Sequence, residues 1–486
     1  MSIWKVLEED VFRNKTFLYS FLAAIMCCFV VYGFELSHFT LSIDEDTTDN
    51  FLHTIDLGRW GHAFLKEYIF PEPWVPFSSL LFALMCVSAS AAICSVSMRN
   101  SKSGSVIFSI LFISLPQLAY QFEFSNQDET FGIAILLSSV SSLFLHKTNK
   151  TNFAMFVLLN FFALSIYQSL ILFSATLMTL FYLKECINGN LNFKKWVFKS
   201  TVISAGLVLS LGFYLIATKL IKQHYGVTSP SYFTSIIMWE QFGLRGGVLN
   251  AISFIYERSG PYPLYGLSMY KLTYFFSILL LLLAAKKGPS KLAFSILLIL
   301  LCLLLPFAIN IAIAAGTPGR TLTQLPLVFA GITVIFFEKI RNSIIKYPLC
   351  FFILFIGSNA SSQLFYSDYM ASNIDKNLAE RLLNDIHLKY PEINPQANRL
   401  GFYGSYTVKN HWKKFNSDDF GVTFFERGSS QRVINMMNIN GISGYKSVPD
   451  EQIHKKYHET ISNMKSWPEI GGIDKVGDDI IVKLSD

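Results

Sequence analysis

Eleven apolar stretches, most of them close to the length of a bilayer-spanning helix, constrain this chain more than any other feature. They fall at 16–34, 77–96, 104–120, 131–146, 153–166, 169–183, 201–217, 272–285, 292–312, 321–337 and 348–365. A helix needs about 20 mainly apolar residues to cross the hydrocarbon core, and only helices or closed barrels satisfy their backbone there. The charged fraction of 15%, against about 25% in soluble domains, agrees. The pattern predicts an all-α polytopic membrane protein.

The connections alternate in charge, which sets the orientation. One set carries Lys5, Arg13 and Lys15; Arg99 and Lys102; Lys147 and Lys150; Lys184, Lys194, Lys195 and Lys199; Lys286, Lys287 and Lys291; and Lys339, Arg341 and Lys346. The positive-inside rule places this set in the cytoplasm, with the N-terminus inside and the C-terminus outside. Residues 153–183 are long for one span and short for two. Two keep the lysines after Leu183 on the inner side, with Tyr167-Gln168-Ser169 at the tip of a hairpin. If that hairpin is re-entrant, nine full spans remain, so nine to eleven are expected. The first span follows Lys5, Arg13 and Lys15, exceeds a signal-peptide core and lacks a small-x-small site after it. It reads as a retained signal anchor.

Residues 1–365 thus form a transmembrane domain with outer segments 35–76, 121–130, 218–271 and 313–320. Residues 366–486 have ordinary soluble composition. Ile374, Leu378, Leu382 and Ile386 form a helical stripe ended by Pro391, and LGFYG, GVTFF and DIIVKL read as strands. A small extracytoplasmic α/β domain follows. The seven cysteines lie in apolar spans or a basic loop, with no C-x-x-C, and read as packing residues. No basic stripe with interleaved aromatics points to nucleic acid.

Chemistry concentrates in the outer segments. The spans hold polar residues such as Gln117, Asn160 and Asn310 but almost no ionisable ones, unlike ion-coupled transporters. The first outer segment, with eight acids, includes the stretch SIDEDTTDNFLHTIDLGRWGHAFLKEY. Its Asp44, Glu45 and Asp46 suit a general base toward a sugar hydroxyl, a divalent cation, or simply a solvated acidic loop. Asp128 and Glu129 repeat the pattern at a second span end, as a possible second acidic site. Arg320, after Gly316, Pro318 and Gly319, suits a phosphate clamp or an interfacial anchor. Tyr167 and Gln168 suit a sugar or the capping of their hairpin. His454 and His458 have i, i+4 spacing with no intervening acid and read as a surface helix; His53 and His62 lie among the acids without a ligand pattern. No metal is required, although a divalent cation is compatible.

Ile43-Asp44-Glu45 just after the first span, Gly58-Arg59-Trp60 some fifteen residues on, and Pro318-Gly319-Arg320 at a late span mouth go together with the hairpin and the outer C-terminal domain. This set resembles the Gtr family of serotype-converting O-antigen glucosyltransferases, of the GT-C superfamily, and within it the type II-specific branch carried by phages. That family has two adjacent Asp where this chain has Asp44, Glu45 and Asp46, so the register of the second carboxylate is open. The resemblance implies a GT-C-like fold in a bacterial inner membrane and undecaprenyl-phosphate glucose as donor. It also implies a partner synthase and flippase, and a rhamnose of the O-antigen polysaccharide as acceptor. The residues agree independently on one point: inner segments are short and no G-x-G-x-x-G nucleotide site exists, so a lipid-borne donor is the natural supply. Asp44 or Glu45 is then the expected base, Arg320 and Arg59 the donor-phosphate ligands, and one direct displacement gives inversion. A lipid-linked-saccharide flippase and another periplasm-facing O-antigen-modifying enzyme, such as a ligase or acetyltransferase, are the rivals.

Overall fold

The computed structural model describes residues 8–46, 50–71, 73–146, 149–227, 237–340 and 343–486; Lys5, Lys147 and Arg341 of the basic connections lie outside them. The chain divides into two units, Met1–Ser37 with Asp49–Ser362 and His38–Thr48 with Gln363–Asp486.

Although 104–120 leaves helix after Ser114 and 292–312 is interrupted at Leu305–Phe307, each of the eleven apolar stretches holds one of eleven helices. They are α1 (Lys15–Ser37), α4 (Pro76–Ser97), α5 (Lys102–Ser114), α6 (Asp128–Leu143), α7 (Lys150–Ile166), α8 (Phe173–Asn188), α9 (Phe193–His224), α11 (Lys271–Ala285), α12 (Pro289–Leu304), α14 (Leu325–Phe337) and α15 (Ser343–Lys389). Short helices α2 (Phe51–Asp56) and α3 (Trp60–Tyr68) follow α1, α10 (Trp239–Ser259) follows α9, and α13 (Ala308–Ile313) follows α12. Among the described residues seven helical segments are long and apolar enough to cross a membrane, and three of the remainder are shorter apolar helices. Residues 153–183 form two helices, broken at Tyr167 and a 3-10 turn, Gln168–Leu172.

Small residues make the closest contacts, as expected where lipid gives no hydrophobic drive between helices. α4 packs on α1 and α6, and α5 on α1 and α14. A Cβ on Gly132 of α6 would lie 2.9 Å from Ala83 Cα, so that crossing needs glycine. Several buried serines bond locally or pairwise: Ser90 donates to Cys86 O at 2.8 Å, and Ser20 and Ser109 join α1 to α5 at 2.6 Å. All seven cysteines are free and buried.

In the second unit a four-stranded sheet has the order β2-β1-β4-β3, with β1 at Arg399–Tyr403, β2 at Lys446–Ser447, β3 at Ile473–Val476 and β4 at Asp479–Lys483. β1 runs parallel to β2 and β4, and β3 antiparallel to β4. The stripe on α15 is buried here: Leu378, Leu382 and Ile386 join Leu400, Phe402, Ile480 and Val482, together with Leu41 and Ile43. α15 ends at Lys389, two residues before Pro391. LGFYG and DIIVKL are strands as expected, but GVTFF is not. Gly421 adopts φ +77°, and Thr423 caps the short helix α16 (Phe424–Arg427) by accepting from Glu426 N. Asp375 of α15 accepts from Phe424 N at 2.9 Å, so local capping overrides the strand propensity of Val-Thr-Phe-Phe. His454 and His458 lie on separate short helices, α18 (Asp450–Lys456) and α19 (His458–Asn463), after α17 (Ser430–Ile439).

Candidate functional site

The Gly-Arg-Trp sequence is a turn built to press on the α7–α8 break. Gly58 has φ +73°, and a Cβ there would fall 2.6 Å from the Tyr214 hydroxyl. That hydroxyl donates to Gly58 O at 3.1 Å, and Gln168 Nε2 donates to Leu57 O and to Tyr214 Oη, both at 3.0 Å. Arg59 occupies the N-cap position of α3. Trp60 packs with Phe64 and Phe161, while a Cβ on Gly61 would strike Ser165 at the end of α7.

This turn sets the Arg59 guanidinium over the Tyr167 ring, and the backbone of Arg320 meets the hydroxyl of the same residue. Arg59 donates to Gln168 Oε1 at 3.3 Å and to Gln127 Oε1 at 3.2 Å, and stands 5.0 Å from the Tyr167 ring centre. Arg320 sits in a 3-10 turn, Gly319–Thr321; its guanidinium lies 4.2 Å from the Phe124 ring centre, and its carbonyl accepts the Tyr167 hydroxyl at 3.4 Å. Burial pushes the Tyr167 phenol up, and the charges of Arg59 and Arg320 pull it back, so both cations act on one ring. Gln117 and Gln324 fasten the surrounding backbone by donating to Gly319 O at 3.2 Å and Ser169 O at 2.7 Å. Both arginines are half-buried residues, a setting suited to binding an oxyanion.

Asp128 and Glu129 occupy the first turn of α6, where the helix dipole favours anions, and both are buried. Glu129 Oε1 accepts from the Ser79 hydroxyl, and Oε2 lies 3.5 Å from Lys66 Nζ. This carboxylate therefore closes a buried ion pair between α3 and α6. Lys66 also stands 5.7 Å from the Trp74 ring centre, and Trp74 donates to Ser125 Oγ at 3.0 Å. His62 Nδ1 meets Thr130 Oγ1 at 2.7 Å. Since that hydroxyl donates to Gln127 O, the network assigns the proton to Nδ1. Burial, then the charges of Arg59 and Lys66, push the imidazole down to about 3, so it is neutral.

The acidic turn belongs to the second unit. Glu45 is completely buried; its Oε2 accepts from Ser42 N at 2.9 Å and its own N–H donates to Ser42 O. Asp46 is buried and accepts from Asn435 Nδ2 at 3.2 Å; burial raises its carboxyl, while Asn435 and Arg432 pull it down. Asp44 is the exposed member, 3.2 Å from Arg432, whose guanidinium also donates to Ile43 O at 2.6 Å. Ser42 donates to Asp368 Oδ2 at 3.3 Å, tying this turn to α15.

Of the residues anticipated from the sequence, the helical unit thus brings together Arg59, Tyr167, Gln168 and Arg320, and places Asp128 and Glu129 at the start of α6. Asp44 and Glu45 lie in the other unit. Among the described residues no three His, Cys, Asp or Glu side chains converge as metal ligands. Lys66, Gln127, Phe124 and Tyr214 were not anticipated, and His62, notable in the sequence only for lying among the acids, is tied to Thr130. Lys66 was legible in principle: Trp60, Ala63 and Lys66 recur at helical spacing, and all three are buried.

A family model described as glucosyl transferase GtrII matches residues 33–337, more than half of the chain. The match begins near the end of α1, ends with α14, and contains every candidate residue above. No curated protein and no solved structure matches.

Proposed function

The chain belongs to the GtrII glucosyl transferase family, and from that premise we propose that it transfers glucose from undecaprenyl-phosphate glucose to a sugar of an O-antigen repeat. The acceptor in this reading is rhamnose and the reaction takes place at the periplasmic face of the inner membrane. A separate synthase and flippase supply the donor, and the product is a polysaccharide of altered serotype.

The observation that carries the reading is the pair Arg59 and Arg320 around Tyr167. A sugar carried on a polyprenyl phosphate leaves behind a phosphate anion, and fixed positive charge stabilises that anion as the bond breaks. The acceptor hydroxyl attacks the anomeric carbon and the bond from that carbon to the phosphate oxygen breaks. The hydroxyl proton passes to a carboxylate, and one displacement inverts the centre. Asp44 suits the base better than Glu45, because Asp44 is exposed whereas Glu45 is buried and already accepts from Ser42 N.

Purified protein supplied with undecaprenyl-phosphate glucose and lipid-linked O-antigen should form product, and a nucleotide sugar alone should not serve. Asp44→Asn should lower turnover by about 10²–10⁴, the usual contribution of a general base, and Glu45→Gln should lower it less. Efficient turnover with the free nucleotide sugar would remove the donor assignment. Full activity in both acid variants would remove the base. For the orientation, a phosphatase active only outside the cytoplasm should work when fused after Asp368 and be silent after Lys199; the reverse pattern would overturn it.

A further inference from the structure

On the side of the helical unit that carries the basic connections, the ends of α4, α8 and α14 and the starts of α5 and α15 enclose a cavity of about 460 Å³. Arg99, Ser103, Lys184, Glu338, Lys339 and Lys346 are among its lining residues. Two of these charges cancel. Lys184 is buried, 2.6 Å from Glu338 Oε2, and donates to Asn100 Oδ1 at 2.7 Å and Arg99 O at 3.0 Å. The other oxygen of Glu338 accepts from Ser101 N at 2.8 Å.

Arg99, Lys339 and Lys346 remain. Arg99 stands 5.4 Å from the Phe181 ring centre, Lys346 lies 5.3 Å from that of Tyr347, and Lys339 donates to Asn188, feeling the attraction of Glu338 together with the repulsion of Lys287 and Lys184. Three cations around one cavity repel one another unless an anion enters. Arg99 adds a second sign. It follows the C-cap of α4 with φ +51°, the left-handed position where glycine is the default and a side chain is strained. Such strain persists where the surroundings hold it, and Lys184 grips the Arg99 carbonyl.

We propose that this cavity binds a phosphate-bearing anion, with Arg99, Lys339 and Lys346 as its ligands. The guanidinium fork suits phosphate oxygens and the two ammonium groups add point charge. The start of α15 exposes Ile345, Tyr347 and Phe351, the last at 69%. A phospholipid whose headgroup is seated in the cavity keeps its chains against that apolar surface. Inorganic phosphate shares the headgroup chemistry, and the two sources are separable. The site stands independently of the transferase reading.

The test uses the full-length protein in detergent, titrated with phosphatidylglycerol, phosphatidylcholine or inorganic phosphate. Bound lipid is counted by native mass spectrometry, and stability is followed by the thermal midpoint. The wild type should retain phosphatidylglycerol over phosphatidylcholine or, if free phosphate is the ligand, bind inorganic phosphate. At about fivefold per cation near a charged surface, Arg99→Gly with Lys346→Gln should weaken binding roughly thirtyfold. Lys286→Gln, on the same side but outside the cavity, should change little. Arg99→Gly alone is the sharpest variant: glycine relaxes the left-handed turn, so stability should hold or rise while affinity falls. A residue with only a structural role cannot give that combination. Displacement of phosphatidylglycerol by millimolar phosphate would assign the site to the free ion, and resistance to it would assign the lipid. Unchanged binding in the double variant, or no preference for either anion in the wild type, would overturn the proposal.

Discussion

The buried pair Lys66–Glu129 offers the most quantitative test of how α3 is held. Lys66→Met and Glu129→Gln, made singly and together, form a complete cycle. The two side chains are 7% and 6% exposed and their charged atoms lie 3.5 Å apart. At an effective dielectric of about 20 the attraction at that distance is about 5 kcal/mol. Removing one member leaves the other charge buried alone, which costs about 3–5 kcal/mol. Removing both leaves two neutral groups of similar shape, so the double variant should be far more stable than the two losses added together. We expect a coupling energy of about 3 kcal/mol, read from equilibrium unfolding in mixed micelles of mild and denaturing detergent. The single variants should also lose transferase activity, because Arg59 stands at the N-cap of α3 and the far turn of that helix is fixed by Lys66. A coupling energy below about 1 kcal/mol, the range of exposed pairs, would refute the claim that this ion pair anchors α3.

Gly58→Ala should destabilise the protein by about 1–3 kcal/mol and reduce activity, from left-handed strain and a displaced Tyr214 hydrogen bond; an unchanged unfolding midpoint would reject that account of the turn. His62 is held neutral down to about 3, whereas the unfolded chain takes up a proton near 6.5, so the unfolded state binds the extra proton between those values. Stability should therefore be fully present above 6.5 and fall on acidification toward 3, by up to about 1.4 kcal/mol per pH unit, and His62→Gln should flatten that slope. Arg320→Ala should raise the donor Michaelis constant, lower turnover, or both, and Arg320→Lys should recover little because a point charge lacks the planar fork; wild-type kinetics in the alanine variant would make Arg320 an interfacial anchor.

Helix positions were legible because a bilayer demands long apolar runs, and each run holds a helix, although the ends at Ser114 and Leu304 fall inside their runs. The 47-residue α15 shows in the sequence as a span and a separate stripe, since the polar residues after Phe365 hide the continuity of the helix. β3 was missed because IDKV is short and half polar, although Gly477, at φ +64° between β3 and β4, is a hairpin signal in the sequence. The grouping of 38–48 with the C-terminal residues was not visible, since it rests on Ser42–Asp368 and Arg432–Asp44, pairs more than 300 residues apart. The same holds for His62–Thr130 and Lys66–Glu129: each residue is visible in the sequence, but its partner is set only by packing.

Polar residues at the span ends have a shared task that bears on function. A helix that breaks near lipid exposes carbonyls that must find donors within the protein. Three glutamines supply them: Gln117 to Gly319 O, Gln324 to Ser169 O and Gln168 to Leu57 O. Asn310 does the same for Ala315 O, and Asn160 donates within its own helix to Phe156 O. These amides are held by backbone, which leaves them poorly placed to relay ions and weakens a transport reading of the polar span residues. Gln168 differs from the others because its oxygen also accepts from Arg59. The amide that stands at the break between α7 and α8 holds the Leu57–Gly58 turn and aims a guanidinium at once, so the geometry of the cationic site follows from how that turn is seated on the broken helix.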